Sequence, residues 1–123
     1  MINDLGKLHV YVVRKPNEIT LTNLAAMRGH LECLKFLHER GCMMDITTCE
    51  SAIEGGHVDC LEYVHKSGCE LTPNVMNLAA RLGQFECLLY AHQSGCAYDN
   101  LIRLAAKEGG NQDCIEYVNM FVV

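Results

Sequence analysis

The chain has 123 residues, enough for one ordinary domain, and its balance of half hydrophobic and a fifth charged residues excludes a disordered chain. A net charge of −5, with ten Lys and Arg scattered along the sequence, offers no basic stripe to a phosphate backbone and points away from nucleic acid. No apolar run approaches the ~18 residues of a membrane span, and the opening MINDLGKLHVYVVRK lacks a signal-peptide cleavage site, so the eight Cys are expected as reduced thiols in the cytoplasm.

Internal repetition organises the chain. Residues 1–15 align with half a unit, with Gly6 in a column otherwise held by Cys and Leu8 and Tyr11 still apolar. They read as a degenerate N-terminal half-repeat. Four units follow, over 16–42, 43–69, 70–96 and 97–123. Their second halves align without a gap at a spacing of 27 residues: GHLECLKFLHERGC, GHVDCLEYVHKSGC, GQFECLLYAHQSGC and GNQDCIEYVNMFVV. Ala25, Ala52, Ala79 and Ala106 form one column and Cys33, Cys60, Cys87 and Cys114 another. Gly41, Gly68 and Gly95, each followed by Cys, form a third.

Each unit is predicted to hold two short helices. In the second unit Asp45 is a candidate cap, and Thr47 with Glu50 has capping-box spacing. In the third, Thr72 and Pro73 read as an N-cap followed by proline at the first helical position. Val75, Leu78 and Ala79 then share one face, and Gly83 ends the helix. Phe85, Leu88 and Leu89 make a second apolar stripe, closed by Gly95. The fourth unit starts at Asp99. Helices this short are unstable alone, so stacking on a neighbour must bury their apolar sides. The product is an all-α fold, an α-solenoid of helix-turn-helix units, with the Ala column marking the closest helix approach. A leucine-rich repeat is excluded by the missing L-x-x-L-x-L pattern. The tail Met120-Phe121-Val122-Val123 is apolar. It is expected to fold back over the last groove, pair with another chain or mark a longer array.

The runs Leu24-Ala25-Ala26-Met27-Arg28-Gly29-His30 and Asn77-Leu78-Ala79-Ala80-Arg81-Leu82-Gly83 resemble the L-A-A-x-x-G-H core of the ankyrin repeat. Gly41-Cys42 stands where that family has Gly-Ala, and Thr20, Thr47 and Asn74 stand where it has the Thr of T-P-L-H. The likeness spans residues ~17–119 and recurs in phase. It departs in period, 27 residues here against the family's ~33, the difference falling where ankyrin repeats carry a β-hairpin finger. The chain thus resembles a short, Cys-rich ankyrin variant without long fingers. The resemblance implies recognition of a protein partner through the concave face of the first helices, and no catalysis.

The chemistry-bearing residues have mostly structural readings. Column-mate cysteines lie one repeat apart, about 10 Å, too far for disulfides. Cys33, Cys60, Cys87 and Cys114 are expected as small core residues, and Cys49, outside any column, as the best candidate for an exposed or reactive thiol. The repeated C-x4-H-x3-C of Cys33, His38 and Cys42 invites zinc. Residues five apart on a helix diverge, and three ligands fall short of a closed site, so no metal and no cofactor is expected. Glu32, Asp59, Glu86 and Asp113 sit in first helical turns, where the helix dipole favours carboxylates. His30, His57, Gln84 and Asn111 share a column that suggests a structural tie. Met43, Met44, Leu71 and Tyr98 precede caps and read as hydrophobic staples. No nucleotide loop, H-E-x-x-H or G-x-S-x-G motif is present.

Binding residues are expected where units agree on exposure and differ in chemistry. Positions at i, i+3 and i+7 of each first helix share a face. They are Thr20, Asn23 and Met27; Thr47, Glu50 and Glu54; Asn74, Asn77 and Arg81; and Leu101, Leu104 and Glu108. The resulting expectation is a non-catalytic adaptor that binds a protein through this face, with no nucleic acid or membrane partner. Two rivals remain open. One is self-association or a longer solenoid through the apolar C-terminal end. The other is a thiol-based metal or redox module.

Overall fold

The structure, a computed structural model, describes residues 15–122, with side chains described from residue 21. The half-repeat expected over residues 1–15 falls outside the described residues except for its last position. The described residues form eight α-helices and no strand. They are α1 (Lys15–Met27), α2 (Leu31–Glu39), α3 (Ile46–Gly55), α4 (Val58–Lys66), α5 (Pro73–Leu82), α6 (Phe85–Gln93), α7 (Ile102–Gly109) and α8 (Gln112–Phe121).

Local chemistry sets the helix ends. Asp45 caps α3 by accepting from the Thr47 N–H at 2.9 Å, while the Asp45 N–H donates to Thr48 Oγ1 at 3.2 Å. The capping box therefore uses Asp45 and Thr48, not Thr47 and Glu50, because the helix starts two residues earlier than that pair requires. Thr72 precedes α5 but makes no side-chain cap bond; Pro73, which has no N–H to satisfy, begins the helix. Asp99 Oδ1 accepts from the Leu101 N–H at 3.0 Å, ahead of α7.

Each odd-numbered helix ends in a left-handed glycine: Gly29, Gly56, Gly83 and Gly110 have φ of 71 to 77°. At three of these turns a side chain from the next unit fills the space a Cβ would take. A Cβ on Gly29 would lie 2.6 Å from the His57 ring, one on Gly56 2.8 Å from Gln84, and one on Gly83 3.2 Å from Asn111. Asn111 Nδ2 also donates to the Gly83 carbonyl at 3.3 Å. The column of His57, Gln84 and Asn111 thus ties each unit to the turn before it, and glycine is needed there for both φ and space.

Within a unit the two helices pack on each other. Odd helices also pack on odd, and even on even, from one unit to the next. This makes two layers of helices, an arrangement compatible with an α-solenoid. The core between the layers holds Leu34, Leu61 and Leu88, all fully buried, with Val64, Ala91 and Val118 one turn on. Each such leucine contributes about 1.5–3 kcal/mol of burial. Ala25, Ala52, Ala79 and Ala106 are buried at the odd-helix contacts. Among those contacts, α1 with α3 and α5 with α7 are more extensive than α3 with α5. Gly55 and Gly109 explain the difference: a Cβ there would come within 1.9 Å of the Met27 carbonyl oxygen and 2.4 Å of the Arg81 carbonyl oxygen. The same column holds Leu82 at the end of α5.

The apolar tail folds back. The Phe121 ring stacks on His92 with centroids 4.0 Å apart, Tyr98 donates to the Phe121 carbonyl at 3.2 Å, and Arg103 donates to the Val122 carbonyl at 2.9 Å. Among the described residues of this segment, Met120 points furthest into solvent, 78% exposed. The staple residues divide: Met44 and Leu71 are packed against the core, while Met43 and Tyr98 are about half exposed.

Candidate partner-binding face

The odd helices present the three columns singled out in the sequence. Met27, Thr47, Glu54, Asn74, Arg81, Leu101, Leu104 and Glu108 are exposed, and Asn23 and Glu50 are half-buried. The Thr20 side chain lies outside the described ones. Asn77 departs from the expectation: it is buried, at 5% exposure. Its Nδ2 donates to both carboxylate oxygens of Asp99, at 3.2 and 3.4 Å. Asn23, its column mate, behaves alike, with Nδ2 donating to Thr47 Oγ1 at 3.0 Å and Oδ1 accepting from Thr48 Oγ1 at 2.6 Å. The middle column therefore spends its asparagines on the start of the next odd helix. What remains for a partner is the two outer columns, plus Leu104 of α7.

The outer column Met27, Glu54, Arg81 and Glu108 alternates in charge. Arg81 Nε lies 3.5 Å from Glu108 Oε1, both side chains about half exposed, so the pair contributes at most about 1 kcal/mol. Leu101 and Leu104, 54% and 52% exposed, give the α7 end of the face an apolar surface. Among the described residues the face offers side chains of mixed chemistry: charged on Glu54, Arg81 and Glu108, polar on Thr47 and Asn74, and apolar on Met27, Leu101 and Leu104.

The thiols sit differently from two expectations. All eight cysteines stand as thiols, none in a disulfide. Cys49 is fully buried, and desolvation pushes its thiol up to about 12, so it is not the exposed or reactive thiol expected. It shares a hydrogen bond with Cys69. Cys60, Cys87 and Cys114 are buried core residues, but their column mate Cys33 is exposed. Cys33 belongs to the first described unit and lines an apolar groove with Leu24 and Phe36. Burial also raises Cys60 to about 11 and Cys87 to about 12.

The histidines of the C-x4-H-x3-C pattern face the next unit. His38 Nδ1 lies 2.7 Å from the Tyr63 hydroxyl, His65 Nδ1 2.8 Å from that of Tyr90, and His92 Nδ1 2.6 Å from that of Tyr117. Each pair also meets edge to face, with centroids 5.4 to 5.7 Å apart. The sequence reading missed this ladder. Its signal was available: His38, His65 and His92 are each followed by a tyrosine 25 residues later, two short of the repeat. Phe36 holds the tyrosine position in the first described unit, and there the Arg40 guanidinium lies over the ring at 4.5 Å. Among the described residues no group of three or more His, Cys, Asp or Glu could hold a metal ion.

No protein-family model matches the chain, and no curated sequence is significantly similar to it. Among the described residues no helix is long and apolar enough to cross a membrane.

Proposed function

We propose that this chain is a non-catalytic protein-interaction module, an ankyrin-like α-solenoid working as an adaptor in a reducing, cytoplasmic compartment. It binds a protein partner through the exposed outer columns of its odd helices. One observation carries the reading: at matching places on successive odd helices the exposed residues differ in chemistry, while the column beneath them, Ala25, Ala52, Ala79 and Ala106, is invariant and buried. A scaffold that repeats its core and varies its surface presents side chains already ordered, so little conformational entropy is lost on binding. The absence of disulfides among eight thiols fits a reducing compartment.

The test is affinity capture from a lysate with the wild type and with a Glu54→Arg/Asn74→Arg variant. Both positions are exposed, and among the described residues neither side chain makes a hydrogen bond or ion pair. Arg81 is left alone, since a carboxylate there would face Glu108. A partner retained by the wild type and lost by the folded variant supports the reading. Equal capture by both removes this face as the site.

A further inference from the structure

The last unit breaks its own pattern on the side that faces away from the rest of the stack. Thr22, Cys49 and Met76 occupy one column and are fully buried; the next residue in it is Arg103, exposed. Ala26, Ile53 and Ala80 occupy another column and are fully buried; the next residue in it is Lys107, exposed. These columns are the surfaces that each following unit covers. On α7 they carry two cations one helical turn apart. Between α7 and α8 lies an open groove of about 430 Å³, lined by Asn100, Arg103, Leu104, Lys107, Ile115 and Asn119. Its apolar surface comes from Leu104 and Ile115, and Ile115 is the column mate of the buried Leu34, Leu61 and Leu88.

We propose that this groove docks an acidic amphipathic helix of a partner protein, seated where a fifth unit would stack. Two arguments fix the occupant. First, the groove continues the established unit-to-unit interface, whose occupant in every earlier unit is a helix with apolar residues turned inward. Second, the two columns that are uncharged elsewhere are cationic here, in a chain of net charge −5. Lys107 has no ion-pair partner among the described residues, and Arg103 spends one N–H on the Val122 carbonyl, leaving its other donors for a carboxylate. A second copy stacked head to tail is the competing occupant. Among the described residues the groove at the opposite end is lined by Leu21, Leu24, Phe36 and Leu37 with Arg28, which offer Arg103 and Lys107 no carboxylate. This surface shares Leu104 with the odd-helix face but centres on Arg103, Lys107 and Ile115, so the Glu54/Asn74 variant and the Arg103/Lys107 variant test the two proposals separately.

The probe is a stapled helical peptide of about four turns, with leucines along one edge and glutamates along the adjacent edge. A control peptide carries lysine at each glutamate. Affinity is read by fluorescence anisotropy and location by amide chemical shifts, on the wild type and on Arg103→Glu/Lys107→Glu. Both substituted side chains are exposed, and circular dichroism checks that the fold survives. The expected result is salt-sensitive binding of the acidic peptide, shifts centred on α7 and α8, and at least about a tenfold loss in the variant. No binding, equal binding of the lysine peptide, or shifts centred on α1, α3 and α5 would overturn the proposal. So would a dimer of the wild type that the variant converts to a monomer, since the occupant would then be a second copy.

Discussion

Between α1 and α3 the chain meets itself at the level of the backbone, where Gly55 leaves no room for a Cβ beside the Met27 carbonyl. Between α4 and α6 it meets itself through side chains that reach across, His65 to Tyr90. The same 27-residue unit thus stacks in two ways at once. The odd layer removes atoms so that helices close up, and its buried column is alanine throughout. The even layer keeps larger groups and joins them with a polar, half-buried contact repeated three times. Close-packed backbone has nowhere to yield, while a hydroxyl–imidazole contact at a half-buried edge can be lost with local rearrangement and entry of water. The odd layer should be the intolerant one.

Alkaline titration of the buried thiols should give the largest effect and shows how both layers share one vulnerability. Cys49 in the odd layer and Cys60 and Cys87 in the even layer are all raised in the folded state by desolvation. The sign follows from linkage. Above the ordinary thiol value near 9 the unfolded chain releases protons that the folded chain retains, so unfolding is favoured as pH rises. Stability is full below about pH 9 and falls as pH climbs toward about 11 for Cys60 and about 12 for Cys49 and Cys87, by at most about 1.4 kcal/mol per pH unit for each thiol. Thermal unfolding measured across this range, in a reducing buffer, should show the fall. Cys49→Ala and Cys87→Ala should each flatten it by one thiol's share. A melting temperature unchanged to pH 11 would mean that the thiols are reached by water.

Gly55→Ala comes next and bears directly on the comparison. The new methyl would stand 1.9 Å from a backbone oxygen, so α3 must move away from α1. Overpacking of this kind costs about 1–3 kcal/mol, and here the upper end applies because backbone rather than a flexible side chain must give way. Urea denaturation measures the loss. A stabilised variant, as alanine's helix preference alone would produce, would show that the odd layer can open at no cost.

Much of the architecture was legible because it rests on residues that have only one physical use. A glycine at each turn and an alanine column in phase leave few alternatives to stacked short helices. The misreadings share a different cause: they depend on what the next unit places opposite. Asn77 reads as one more polar face residue until Asp99 is seen to receive both of its bonds. Cys33 reads as core like its three column mates, yet it belongs to the first described unit, at an exposed groove. Cys49 reads as an accessible thiol because it lies outside the cysteine columns, yet Thr22 and Met76, at its place in the neighbouring units, are fully buried as it is. The proposed partner-binding face is legible only as a set of columns, since exposure alone carries no record of which side chains a partner uses.

Tyr90→Phe should produce the smallest effect of the three and gives the finest test of the two-layer contrast. It deletes the hydroxyl 2.8 Å from His65 Nδ1 and leaves the ring in its edge-to-face position, 5.7 Å from the imidazole centroid. A neutral hydrogen bond of this kind is worth about 1 kcal/mol, less at a half-buried site where water can replace the hydroxyl. The double-mutant cycle with His65→Ala isolates the pair from the packing that each residue makes alone. A coupling of about 0.5–1 kcal/mol would identify the ladder as an added fastening over a stack already held by its odd layer. A coupling as large as the loss from Gly55→Ala would reverse the ranking. The even layer would then hold the units in register, and the alanine column would be what permits the approach rather than what drives it.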